Sequence, residues 1–143
     1  MQIMLSSEQA RKIGIALVLC FVLTLCLPFL EMRILENQSQ FFGWQVWLIS
    51  FYAFTGDELG RYWLLPALSA ASLFSVSLCV GLIVQRWAWI RSPHWRWFSL
   101  LMCVGYLYAP WLLKDPARYL LAYYLGLVFH AGLWFTLIGM KRV

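Results

Sequence analysis

Apolar and polar positions fall in long alternating blocks along this chain, and each block is long enough to be one element. The polar start MQIMLSSEQARK gives way to the apolar run Ile13–Leu30. As a helix that run reaches about 27 Å at 1.5 Å per residue, enough to cross a hydrocarbon core. Ser6 followed by Gln9 fits a capping box, which predicts a helix start ahead of the run and carries Arg11 and Lys12 into its first turns. Residues 31–40 mix Glu31, Arg33 and Glu36 with amides and read as a connecting segment.

Phe41–Phe54 is apolar again and holds Phe41, Phe42, Trp44, Trp47, Phe51, Tyr52 and Phe54. As a helix it reaches only about 21 Å. That length and aromatic content predict an interfacial or re-entrant helix over 41–54. Gly56 ends it and Asp57 can cap the next helix. The second span is expected over 62–84, with Pro66 tolerated in its first turns. Ser92 and Pro93 suit the cap and first position of a third helix, with a span over 95–113. A tight turn over 114–118, with Asp115 as cap and Pro116 as first helical residue, leads into the fourth span, 119–140. The pattern therefore predicts an all-α membrane protein of one domain, residues 1–143. It is a four-transmembrane-helix bundle with one additional interfacial or re-entrant helix on the outer side.

Composition supports a bilayer as the solvent. Of the 143 residues 63% are hydrophobic and 12% charged, and the mean hydropathy is +0.74. Soluble domains carry about twice that charged fraction. The formal net charge of +5 would suit nucleic acid if it formed a face. Its basic residues instead sit at the ends of apolar runs, which points to anionic lipid and excludes nucleic acid as a partner. With both termini and residues 85–98 on one side, that side holds Arg11, Lys12, Arg86, Arg91, Arg96, Lys141 and Arg142. The other side holds Arg33, Arg61, Lys114 and Arg118. The positive-inside rule then puts both termini in the cytoplasm, of a bacterial inner membrane in this reading. Cys20, Cys26, Cys79 and Cys103 lie in apolar runs without metal or disulfide spacing, so they read as small apolar fillers.

The densest polar feature is Gln85–Phe98, QRWAWIRSPHWRWF. Arg86, Arg91 and Arg96 interleave with Trp87, Trp89, Trp95 and Trp97, the chemistry of a membrane–water interface. These seven residues are the expected contacts to lipid or to a protein partner. In the second span Ala67, Ala71 and Ser75 are spaced four apart, as are Ser77 and Gly81. With Gly126 they are candidates for close helix packing, either internal or against a second copy, and this span is expected to be the most buried. Pro28, Pro66 and Pro110 all fall toward one end of their spans and could splay that end.

His130 stands alone as an imidazole deep in a span, on one face with Ala122 and Gly126, and is the candidate intramembrane polar site. Haem ligation would need an axial partner, and His94 sits at the surface end. No cofactor, metal centre or catalytic constellation is expected. Two four-span families of similar size are excluded by their residues. The disulfide-oxidising quinone reductases need cysteine pairs outside the spans, and the small multidrug transporters need an acid in the first span, where Ile13–Leu30 has none. The expected role is a non-enzymatic membrane subunit that assembles with itself or a partner. An oligomeric transporter or channel built on the second span and His130 is the alternative.

Overall fold

A computed structural model describes residues 5–34, 37–52, 64–112 and 118–140. In chain order the elements are α1 (Ser7–Cys26), β1 (Pro28–Ile34), β2 (Asn37–Phe42), α2 (Gly43–Tyr52), α3 (Leu64–Ile83), α4 (Trp87–Ile90), α5 (Pro93–Leu112), β3 (Arg118–Tyr119) and α6 (Leu121–Gly139). The chain is mostly helical. Among the described residues two helices, α1 and α6, are long and apolar enough to cross a membrane, and α3 contributes the shorter apolar stretch Ala70–Ile83. The caps expected at Gly56 and Asp57, the turn at 114–117 and the terminal Lys141–Val143 lie outside the described residues.

α1 begins as its sequence predicts. The Ser6 hydroxyl accepts from the Gln9 amide at 3.2 Å, and the Ser6 amide donates to Gln9 Oε1 at 2.8 Å. The helix stops four residues short of the expected Leu30. Leu27 is extended (ψ 159°), as a residue before proline prefers, and Pro28 starts a strand. It kinks no helix, so the proposed alignment of three proline kinks loses its first member.

The expected connecting segment is a β-hairpin. β1 pairs antiparallel with β2, from Pro28↔Phe42 to Ile34↔Asn37, and with β3 through Leu30↔Tyr119 and Glu31↔Arg118. The sheet order is β2-β1-β3. Leu30–Glu31–Met32–Arg33–Ile34 alternates apolar and polar residues, the strand period of two. Glu31 is in this strand; Glu36, Asp57, Glu58 and Asp115 lie outside the described residues.

α2 starts at Gly43, two residues later than expected, because Phe41 and Phe42 belong to β2. The Phe42 amide donates to Gln45 Oε1 at 2.9 Å and the Gly43 amide to the Leu27 carbonyl at 3.1 Å. α2 packs against α1, α3 and both strands of the hairpin. Trp44 and Leu48, four apart, stay exposed on its free face.

α1 packs against α6 and α3, and α5 packs against the same two helices, in the cyclic order α1-α6-α5-α3. The core joins Ala10 and Leu17 of α1, Leu78, Cys79 and Leu82 of α3, Ile90 of α4, and Phe129, Leu133 and Leu137 of α6. Gly14 brings α1 close to α3: a Cβ there would lie 3.1 Å from Leu82 Cβ and 3.2 Å from the Cys79 carbonyl oxygen. Among the described residues the most buried helix is α6, not α3. Its buried face runs through Ala122, Tyr123, Gly126, Phe129, His130, Leu133, Thr136 and Leu137.

These contacts fix which ends lie together. Leu5 bridges to Met140, and its amide donates to the Gly139 carbonyl at 2.9 Å. Ala10, Leu82, Ile90 and Met140 share one cluster. Leu5, Met140 and the Gln85–Phe98 hairpin are therefore at one end of the helices. The sheet is at the other, where the Leu120 amide donates to the Phe29 carbonyl at 2.9 Å.

Candidate functional site

The hairpin is built by a Schellman ending of α3. The Arg86 amide donates to the Gly81 carbonyl at 3.0 Å and the Gln85 amide to the Leu82 carbonyl at 3.4 Å. Gln85 takes the left-handed conformation (φ 59°) that closes this motif. A side chain in that conformation costs about 1 kcal/mol. The turn folds α4 back on α3, where Ile90 is buried over Gly81. A Cβ on Gly81 would meet Ile90 Cδ1 at 2.9 Å and Trp89 Cζ3 at 3.3 Å. What lies on Gly81 is the chain's own hairpin, at Ile90 and Trp89.

α5 begins at Pro93 directly after Ser92, as expected. Trp95, in its first turn, turns inward. Its indole N–H donates to the Trp89 carbonyl at 3.0 Å, and its ring meets Trp89 and Phe98 edge-on at 5.1 and 6.1 Å. Phe98 reaches Phe74 of α3 at 6.3 Å. The tryptophans therefore divide. Trp95 clasps the hairpin, while Trp89 (44% exposed) and Trp97 (71% exposed) present rings outward. Arg86 and Arg91 are exposed and Arg96 is half-buried. The Trp87 side chain lies outside the described residues. The result is a pre-shaped basic and aromatic surface at the end of the helices that holds Leu5 and Met140.

The second cluster lies in the interior. His130 is the middle residue of α6, about 14 Å from either end of that helix. Both it and Ser75 of α3 are fully buried. Ser75 Oγ and His130 Nδ1 are hydrogen-bonded at 3.3 Å. The imidazole packs on the Tyr106 ring of α5 at 4.7 Å and on Phe129 at 4.8 Å. Gly126 makes room for this arrangement, since a Cβ there would lie 2.9 Å from Tyr106 Cε1. Toward the sheet, the Tyr123 hydroxyl donates to the Tyr106 carbonyl at 2.6 Å, and Phe29 of β1 meets the Tyr123 ring edge-on at 5.8 Å. His130 Nε2 and the Ser99 hydroxyl are buried with no protein partner among the described residues.

The small-residue spacing anticipated part of this. His130 faces inward with Ala122 and Gly126, and Ser75 is its partner across helices. Ala67 and Ala71 are half-buried. Ser77 is not a packing residue within the chain: it is exposed, and its hydroxyl donates to its own helix at the Leu73 carbonyl, 3.0 Å. His94, exposed in the first turn of α5, is about 18 Å along that helix from the residue that touches His130. Tyr106, Ser99 and the Cys20 thiol, which donates to the Leu125 carbonyl at 3.4 Å, were not singled out by spacing. Ser99 and Tyr106 stand seven apart in α5, one face of a helix, and that was the available signal. The four cysteines are free thiols, and Cys26 is exposed at the end of α1.

No family model, curated protein or solved structure matches the chain.

Proposed function

We propose that the chain is a four-span integral membrane protein and a non-enzymatic subunit that assembles with itself or with a protein partner. α1, α3, α5 and α6 are its spans, and both termini and the Gln85–Phe98 hairpin face the cytoplasm. Large apolar side chains exposed on every long helix support the membrane part of this reading: Leu19 and Leu23 of α1, Phe74 of α3, Leu101 and Leu107 of α5, Phe135 of α6. Such outward faces suit lipid tails, whereas in water they would drive aggregation. Charged side chains on the long helices keep to the hairpin end, at Glu8, Arg11, Lys12 and Arg96.

The observation that carries the subunit role is the division of labour in the hairpin. Trp95 and Ile90 are spent on holding it shut, yet Trp89 and Trp97 remain exposed among Arg86, Arg91 and Arg96. Aromatic and arginine side chains on a pre-organised surface are the usual anchors of protein contacts. The same residues suit anionic headgroups, so lipid and partner meet at one place. Photo-crosslinking from position 97 in native membranes tests it. A discrete crosslinked species, either a dimer of this chain or one partner, is the expected result. Crosslinks to lipid alone would contradict the subunit role.

A further inference from the structure

Ser75 departs from the habit of four other helix hydroxyls. Thr24, Ser72, Ser77 and Thr136 each donate to the carbonyl four residues earlier, at 2.7–3.0 Å. In an apolar interior this is where a serine or threonine hydroxyl goes by default. Ser75 is instead directed at His130 Nδ1. If the hydroxyl is the donor, Nδ1 is the acceptor and the imidazole proton sits on Nε2. That N–H is buried and meets no acceptor among the described residues. A buried donor left unmet costs about 1–3 kcal/mol, and a leucine at this place would avoid the cost.

The second buried group without a partner among the described residues, the Ser99 hydroxyl, lies on the same face of α5 as Tyr106, two turns nearer the hairpin. The two groups therefore sit at different depths between the hairpin end and the middle of α6. On the sheet side of His130 rings follow one another: Tyr106 lies on the imidazole, Tyr123 stacks on Tyr106 at 6.2 Å, and Phe29 meets Tyr123. Polar groups that lack protein partners thus occur only on the hairpin side of this aromatic stack, among the described residues.

We propose that His130 terminates a one-sided file of internal water reaching in from the hairpin end past Ser99, with Nε2–H donating to the innermost molecule and Ser75 holding the tautomer. Buried water serves this purpose in polar interiors. The site is independent of whether the hairpin recruits a partner. It gives this chain a hydrated polar position at mid-membrane with the aromatic rings on its sheet side.

The test uses ¹⁵N-histidine-labelled protein carrying His94→Gln, reconstituted in lipid bilayers, so that His130 gives the only imidazole signal. Solid-state NMR should show the proton on Nε2, with magnetisation transferred to it from water. A second sample with Ser99→Ala should slow that transfer at least severalfold while leaving the tautomer unchanged. Ser75→Ala should release the tautomer and shift both nitrogen resonances. A proton on Nδ1, or no transfer from water to Nε2, overturns the proposal. An unchanged transfer rate in the Ser99→Ala sample overturns the route from the hairpin end.

Discussion

Gly43→Ala is expected to be the most damaging single methyl group that can be added to this protein. Gly43 is where the sheet hands over to α2, and it lies directly against the last turn of α1. A Cβ at this position would fall on the Thr24 carbonyl oxygen, with the Thr24 carbonyl carbon at 2.8 Å and Leu25 Cα at 3.0 Å. All three atoms are backbone, so no side chain can rotate away. Thr24 is itself held, since its hydroxyl donates to the Cys20 carbonyl at 2.9 Å. Relief requires moving α2 off α1, which breaks the bond from the Gly43 amide to the Leu27 carbonyl and disturbs the β1–β2 pairing that ends at Phe42. Overpacking against rigid neighbours costs about 3 kcal/mol, a large share of a typical stability of about 5–15 kcal/mol. Denaturation in mild detergent should show the loss, while Gln40→Ala, on an exposed strand position, should stay within about 0.5 kcal/mol of the parent. An alanine at 43 that leaves the midpoint unchanged would mean that α2 does not seat on α1 as described.

The second large effect concerns orientation rather than stability. Changing Arg86, Arg91 and Arg96 together to Gln leaves Arg11, Lys12, Lys141 and Arg142 on the proposed cytoplasmic side. Against them stand Arg33, Arg61, Lys114 and Arg118. The difference in basic residues that fixes the direction of insertion disappears. The variant is expected to insert in both directions, and the corresponding Lys variant to insert in one, because the rule depends on charge and not on the guanidinium. Folding should survive, since the contacts that close the hairpin are made by Trp89, Ile90, Trp95 and Phe98. A Gln variant that still inserts in a single direction would show that the terminal charges suffice.

Local chemistry made much of this architecture readable in the sequence. The Ser6–Gln9 box, the α5 start at Pro93 and the inward His130 each depend on residues within one turn or on one helical face. The sheet was missed for the opposite reason. β1 is stabilised by β3, some ninety residues away, and its alternation from Leu30 to Ile34 was outweighed by the apolar run before it and the amides after it. The burial ranking failed similarly. Small residues in α3 suggested the most enclosed helix, but burial depends on neighbours, and α6 packs extensively against both α1 and α5. Within the hairpin, composition suggested an interface without distinguishing which tryptophan is structural. Trp95 is set apart from Trp97 only by the direction each takes from the first turn of α5.

Thiol accessibility across a sealed membrane bears most directly on the four-span arrangement. In a Cys26→Ser background, Gln40→Cys marks the sheet end and His94→Cys marks the hairpin end; both positions are exposed. With a membrane-impermeant thiol reagent, right-side-out vesicles should be labelled at position 40 and not at 94, and inverted vesicles should show the reverse. Labelling of both positions from the same side would contradict a chain whose sheet and hairpin lie on opposite faces of the bilayer.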